Sequence, residues 1–246
     1  MQIDIKTVKN HFERSMDKYN ENAIVQKVLA VKLADEVFKT KKSYGKILEL
    51  GSGTGLLTKE ITAKLKFDTY IANDLSTKSK KYLDKILKDY TFISGNAAKI
   101  KPSVKFDLIV SNAMFQWFKN LDEVLLNYRN FLNKDGILAF TTFSDKNFKE
   151  LKTITGISLD YKSECELEKI LQKNYEIIKM ESFEQGIEFK TPLELLYHMK
   201  NTGVNSLNRT KWTLADVKDF CEKYSTNFDK VTLTYAPILV IARKLD

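Results

Sequence analysis

The 246-residue sequence contains only two cysteines and two histidines, and this scarcity limits the metal and redox chemistry that it can carry. Cys165 and Cys221 are far apart, and the histidines, His11 and His198, do not stand beside either of them. Zinc sites and disulfide frameworks need several such residues at short, regular spacings. The sequence therefore predicts no metal site and no disulfide framework.

Long apolar segments are also missing. The first ten residues contain no apolar stretch of signal-peptide length, and the run 236–242 is far shorter than the roughly 20 residues that span a bilayer. Only nine glycines and three prolines interrupt a chain that is 43% hydrophobic and 11% aromatic, as in globular proteins. We therefore expect a cytoplasmic protein without a membrane partner, whose residues 1–246 form a single α/β domain.

The charge has two interpretations. Forty basic and thirty-two acidic side chains give a net charge of +8, which would attract an acidic protein or nucleic acid. However, only four of the basic residues are arginines, and the lysines are spread along the chain without a block. The charge is therefore also explained by solubility alone.

Repeated strand–helix units occupy the first part of the sequence. Strands are predicted at 46–50, 69–73, 90–93, 106–110 and 137–143, with helices at 56–65, 77–87 and 121–132 and a turn signal at 133–136. Such alternation implies right-handed crossovers and a parallel sheet.

The flanking segments are different. Residues 5–39 have helical spacing with a break predicted near 20–22, and the last hundred residues are predicted to contain two more strands and three more helices. These later elements are a helix at 165–172, a strand at 175–183, helices at 192–199 and 214–224, and a strand at 230–242. We divide the domain into a helical cap (1–40), a cofactor-binding core (44–143) and a helical lid over the sheet edge (about 190–228).

The segment ILELGSGTG ends the first strand in three glycines at alternate positions. Gly51 and Gly53, on either side of Ser52, leave room for a ligand to approach the backbone, and Glu49 at the strand end can accept a hydrogen bond from an amino group. The spacing is G-x-G-x-G and not the G-x-G-x-x-G that places a pyrophosphate on a helix N-terminus. It therefore favours a ligand without phosphate over a nicotinamide dinucleotide.

Polar residues follow the next three strands at the same predicted edge. Asp74, followed by Leu75, can accept hydrogen bonds from both hydroxyls of a ribose. Asn96, followed by Ala97, has an amide suited to adenine, and Asn112 ends the fourth strand. Because the carboxyl ends of parallel strands meet in one crevice, these groups are expected to converge on one ligand.

In this combination, ILELGSGTG, NDLS, GNA and FDLIVSN resemble the class I S-adenosylmethionine-dependent methyltransferases over residues 44–143. The resemblance implies a Rossmann-like α/β fold with a seven-stranded, mostly parallel sheet whose last strand is antiparallel. It also implies S-adenosyl-L-methionine as cofactor, with Gly51 and Gly53 at the methionine moiety, Asp74 at the ribose and Asn96 near adenine. Most such enzymes have an acid in place of Asn96.

Four further stretches narrow the resemblance. HFERSMDKYNENAIVQ, SNAMFQWFKNL with its Gln116–Trp117 pair, LAFTTFSDKNFKEL, and KNTGVNSLNRTKWTL with LTYAPILVIARK are similar to the malonyl-acyl-carrier-protein O-methyltransferases of early biotin synthesis. Carboxylate methyltransferases of the aconitate type share some of these signatures. One departure is Asp160–Tyr161, where family members often carry an Arg–Phe pair.

The resemblance implies an acyl carrier protein as partner and a malonyl carboxylate as methyl acceptor. That carboxylate is already ionised at neutral pH, so it needs positioning and not a general base. Tyr19, Arg209 and Tyr235 are the predicted catalytic residues, with Lys162 and His198 as further candidates to hold the carboxylate. The predicted cofactor-binding residues are Glu49, Gly51, Ser52, Gly53, Asp74, Leu75, Asn96, Ala97, Asn112 and Gln116.

Two other classes of function stay open. A nucleic-acid methyltransferase agrees with the isoelectric point near 9.2, but the segment after Asn112 has no proline-rich turn and the chain has no arginine patch interleaved with aromatic residues. A protein that binds the cofactor without transferring its methyl group would differ only in lacking turnover.

Overall fold

The computed structural model describes residues 4–203 and 212–245. Its helices are α1 (Ile5–Asn22), α2 (Ile24–Thr40), α3 (Leu56–Lys64), α4 (Lys80–Leu83), α5 (Leu121–Phe131), α6 (Lys149–Thr155), α7 (Glu164–Gln172), α8 (Pro192–Asn201) and α9 (Leu214–Asn227). Its strands are β1 (Ser43–Leu50), β2 (Lys66–Asp74), β3 (Thr91–Ser94), β4 (Phe106–Ser111), β5 (Leu132–Phe143), β6 (Tyr175–Ser182), β7 (Gln185–Glu188), β8 (Thr232–Tyr235) and β9 (Pro237–Lys244).

Seven strands form one sheet in the order β3-β2-β1-β4-β5-β9-β6. The pairs among β1 to β5 are parallel, whereas β9 runs antiparallel to both of its neighbours. The predicted fold, a seven-stranded and mostly parallel sheet with an antiparallel last strand, is confirmed.

Helices cover both faces of this sheet because successive strand residues point to opposite sides. In β4, Leu108 and Val110 pack against a cluster that contains residues of α2 and α3. Ile109 between them belongs to the opposite cluster, which contains residues of α5 and α7. The two buried faces explain why the strands are nearly continuous apolar runs, as in other parallel sheets.

The N-terminal helical segment breaks at Ala23, one residue beyond the predicted 20–22. Ala23 has a non-helical backbone, and its N–H donates to the carbonyl of Tyr19. The break separates α1 from α2, whose Leu29, Leu33 and Val37 are buried.

The C-terminal part differs from prediction because one expected strand is divided and one strand was not expected. The strand expected at 175–183 is confirmed as β6, whereas residues 230–242 contain two strands, β8 and β9, instead of one. The unpredicted β7 pairs with β8 in a second, two-stranded antiparallel sheet. The strand is divided at Ala236, whose N–H donates to Asn147 Oδ1 and whose carbonyl accepts from the Ser144 N–H. Pro237, which has no N–H, then begins β9.

Two other predictions need correction, and one helix was missed. The helix expected at 77–87 is a 3₁₀ turn, Thr77–Ser79, followed by the single turn of α4. Residues 133–136 bulge within β5, where the pairing with β4 skips from Leu132 to Ile137 and Asp135 has a positive φ of 57°. Helix α6 was not predicted. Within the described ranges, no helix is long and apolar enough to cross a membrane.

Candidate functional site

One cavity lies at the carboxyl edge of the parallel strands. Its interior volume of about 200 Å³ greatly exceeds the roughly 10–15 Å³ that a single water needs, so it can hold an organic molecule. All ten residues predicted to bind the cofactor line this cavity, together with Tyr19 and Tyr235. Arg209 lies outside the described residues.

The glycine loop brings bare backbone to the cavity. Gly51 and Gly53 have φ values of +65° and +54°, which side chains rarely allow. A Cβ at Gly51 would also lie 2.7 Å from Met114 Cγ, and one at Gly53 would lie 3.0 Å from Phe12 Cζ. Both positions therefore require glycine for conformation as well as for space.

Asp74 ends β2 beside this loop, with its two carboxylate oxygens oriented by the backbone. Oδ2 accepts from the Gly53 N–H and Oδ1 from the Ser76 N–H, each at 2.8 Å. Burial raises the pKa of Asp74, against the lowering by these two amides. Because a carboxylate oxygen can accept more than one hydrogen bond, both oxygens retain capacity for a ligand.

Glu49 is buried beneath the same loop. Its Oε2 accepts from Thr58 Oγ1 at 2.6 Å and from Tyr70 Oη at 2.5 Å. Burial raises the pKa of Glu49 to about 7, although the two hydroxyls oppose the shift. A second carboxylate is thus present on this side of the cavity, held by fixed donors.

The three predicted amide side chains line the cavity but differ in how many hydrogen bonds they can still make to a ligand. Asn96 Oδ1 accepts from the Ala98 N–H, so its Nδ2 can donate to a ligand. Asn112 is committed at both ends, donating to the Gln26 carbonyl and accepting from Thr141. Gln116 Nε2 donates to the Ala113 carbonyl, while its buried Oε1 has no partner among the described residues.

Helix α1 covers one side of the cavity and is tied to the loops after β1 and β2. Ser76 Oγ donates to Glu13 Oε1 at 2.6 Å, and Thr54 Oγ1 donates to Asn20 Oδ1 at 2.5 Å. Phe12 lines the cavity and makes an edge-on ring contact with Tyr19 at a centroid distance of 5.1 Å. We call this arrangement the α1 cover.

The part of the cavity beyond β4 has a different lining, and we call it the acceptor end. It combines aromatic and aliphatic walls with uncharged polar groups. These residues are Gln26, Trp117, Phe143, Asn147, Phe148, Leu159, Tyr161, Thr202 and Tyr235.

The other candidates for holding a carboxylate occupy distinct positions. Tyr235 is fully buried, and its Oη lies 2.8 Å from His198 Nε2. Burial lowers the pKa of His198 to about 4, so the ring is neutral near pH 7. Lys162 pairs with Asp160 at 2.9 Å and does not line the cavity.

Asn147 and Tyr161 are site residues that sequence reasoning did not select. Both are buried and line the cavity, and Asn147 Nδ2 donates to Tyr161 Oη at 3.0 Å. The one available signal was Tyr161, which stands where the sequence departs from the family's Arg–Phe pair. Asn147 gave no signal because its partners are distant in sequence.

Comparison with known proteins identifies the family. A family model described as a methyltransferase domain matches residues 19–207, which include the glycine loop, Asp74 and most of the acceptor end. This chain belongs to that family. It is an S-adenosylmethionine-dependent methyltransferase. No group of three or more His, Cys, Asp or Glu side chains in the described residues is placed to hold a metal ion.

Relatives match this methyltransferase over nearly its whole length. The malonyl-[acyl-carrier protein] O-methyltransferase of Calditerrivibrio nitroreducens is 35% identical, over 97% of this chain and 96% of the relative. The protein of that name from Haemophilus influenzae is 30% identical, over 98% and 95%.

Solved structures support the fold. The N-methyltransferase NodS from Bradyrhizobium japonicum, solved with S-adenosyl-L-homocysteine, has a TM-score of 0.61 at 11% identity and covers 98% of this chain and 100% of its own. A putative methyltransferase from Bacillus halodurans has a TM-score of 0.64 at 15% identity, covering 88% and 99%. At these identities the likeness concerns the fold alone.

Proposed function

We propose that this methyltransferase transfers a methyl group from S-adenosylmethionine to the free carboxylate of a malonyl thioester carried by an acyl carrier protein, an early step of biotin synthesis. The names of its full-length relatives support this activity. The chemistry of the cavity supports it independently. The support comes from the acceptor end and from the part lined by the glycine loop, Asp74 and Asn96, which we call the cofactor side.

The cofactor side suits an adenosyl amino acid. Gly51 and Gly53 would admit the methionine moiety to bare backbone, and the free capacity of the Asp74 oxygens suits the two ribose hydroxyls. Asn96 Nδ2 would donate to an adenine ring nitrogen. Leu75 and Ala97 would form apolar walls there, while Ser52, Asn112 and Gln116 complete the lining.

The observation that carries the choice of acceptor is the absence of a suitable base at the acceptor end. Among the described lining residues, the charged side chains are Lys9, Glu49 and Asp74, and both carboxylates lie on the cofactor side. Burial raises the pKa of Tyr161 and of Tyr235 far above neutrality, so both hydroxyls stay protonated. An alcohol or amine acceptor would have to lose a proton to such a base, whereas a carboxylate arrives ionised.

The protein's contribution is therefore to position the acceptor and exclude water. When bound, S-adenosylmethionine supplies a methyl group on a positively charged sulfur. Trp117, Phe143 and Phe148 would exclude water around the acceptor carboxylate, which strengthens its electrostatic interactions. The tyrosine hydroxyls would hold it in one orientation, and such positioning can lower a barrier by several kcal/mol.

The lid and the carrier belong to this proposal. Thr202 and Gly203, which follow α8, line the cavity, and α8 packs against α1. The α8–α9 region would thus act as the lid over a cofactor core in a single domain. A net charge of +8 favours encounter with an acidic carrier protein, and exposed charges of this kind are screened by salt.

A methyl-transfer assay with labelled S-adenosylmethionine tests the function. Malonyl carrier protein should become labelled, and acetyl carrier protein, which lacks the free carboxylate, should not. The product should release labelled methanol in mild base because it is a methyl ester. Label in aconitate or in RNA, with none in malonyl carrier protein, would contradict the proposal and support the corresponding alternative.

A further inference from the structure

A chain of hydrogen bonds at the acceptor end begins at Asn147. Its Oδ1 accepts from the Ala236 N–H at 3.0 Å. Because a backbone N–H can only donate, this contact fixes which end of the amide is oxygen and directs Nδ2 elsewhere. The orientation of the Asn147 side chain is therefore set by the backbone between β8 and β9.

The next link is Tyr161. Asn147 Nδ2 donates to Tyr161 Oη at 3.0 Å, so the tyrosine oxygen is an acceptor in this contact and its own proton must point to another group. Across residues 4–203 and 212–245, no oxygen or nitrogen accepts that proton. A buried hydroxyl whose proton makes no hydrogen bond is energetically unfavourable unless a ligand accepts that hydrogen bond.

A second hydroxyl, that of Tyr235, lies at the same end. The neutral His198 ring can present Nε2 to Tyr235 either as an acceptor or, in the other tautomer, as a donor. In the second state the Tyr235 proton is free to donate to a ligand. A group that carries only acceptors would favour this tautomer.

We propose that the Tyr161 hydroxyl, oriented by Asn147, donates to the carboxylate of the methyl acceptor and that Tyr235 supplies a second donor. This inference rests on the proposed function and identifies its specificity-determining residues. Tyr161 contacts the substrate, and Asn147 is a positioning residue. Uncharged donors bind a carboxylate by charge-assisted hydrogen bonds without neutralising the charge that makes it a nucleophile.

The test compares binding of malonyl-pantetheine with that of its methyl ester, measured by calorimetry with S-adenosylhomocysteine present. In Tyr161→Phe, the dissociation constant of the free acid should rise at least tenfold and that of the ester less than threefold, because only the acid carries the charge. The matched control is Tyr128→Phe, since Tyr128 is buried away from the cavity with a hydroxyl that has no partner among the described residues. It should change neither value.

Asn147→Asp tests the positioning role. The aspartate keeps an acceptor for the Ala236 N–H but replaces the donor to Tyr161 with a carboxylate oxygen, which should accept a hydrogen bond from the Tyr161 hydroxyl and so direct it away from the substrate. Affinity for the free acid should fall about as far as in Tyr161→Phe, and the double variant should be no weaker than either single one. Losses that multiply in the double variant would contradict the coupling.

The outcomes separate the two proposals. If Tyr161→Phe binds the free acid like the wild type, the receptor is wrong, whether or not the wild type methylates malonyl carrier protein. If Tyr161→Phe loses binding but the wild type methylates no malonyl thioester, the receptor stands and the proposed function is wrong. A wild type that cannot bind malonyl-pantetheine would overturn both.

Discussion

The Asp74→Ala variant measures how much the Asp74 carboxylate contributes to cofactor affinity. Ribose hydroxyls bound to a carboxylate each contribute about 1.5–3 kcal/mol, and two such bonds are lost in this variant. Even if hydrogen bonds to water compensate for most of this lost binding energy, the remaining loss should exceed about 1.4 kcal/mol, which corresponds to a factor of about ten in affinity. Calorimetry with S-adenosylhomocysteine should therefore show at least a tenfold higher dissociation constant.

The structure also shows what must be controlled. Asp74 accepts from the Gly53 and Ser76 amides, so its loss leaves two buried donors unpaired and should lower the melting temperature. Affinity must therefore be measured where circular dichroism shows that the variant is folded. Asp68→Ala is the matched control, because Asp68 is an exposed carboxylate on the same strand. Unchanged affinity in folded Asp74→Ala would refute the ribose assignment.

Three further outcomes are expected. Burial raises the pKa of Glu49 from 4.5 to about 7, so its contribution to the free energy of unfolding should fall by up to about 3 kcal/mol as pH rises across that interval; denaturation of Glu49→Gln should lack this component. Glu13→Ala should release the α1 cover and speed S-adenosylhomocysteine dissociation severalfold in stopped flow, whereas exposed Glu21→Ala on the same helix should not. Arg209→Ala, which tests the arginine receptor predicted from the sequence, should turn over malonyl carrier protein at the wild-type rate because uncharged donors hold the acceptor carboxylate; a loss of turnover larger than the loss of cofactor affinity would support Arg209 as the receptor instead.

The sheet was predictable because its signals are local. Apolar runs of strand length alternate with helical spacing up to Phe143, and the rule that parallel strands share one carboxyl edge then places the Gly51 loop and Asp74 together. Asn96 followed from the same rule. What each side chain does there was not predictable, since Asn112 is committed to Gln26 and Thr141 through contacts set by the tertiary structure.

The acceptor end escaped prediction for a related reason, which centres on Asn147. By accepting from the Ala236 N–H, this side chain takes a donor that a continuous strand would have used, so β8 separates from β9 and Tyr235 ends beside the cavity. The same amide orients Tyr161 with its other end. The division of the strand and the positions of the Tyr161 and Tyr235 hydroxyls thus have one cause, the Asn147 side chain. Because Asn147 lies 89 positions from Ala236, no sequence pattern confined to residues 230–242 could have predicted the division.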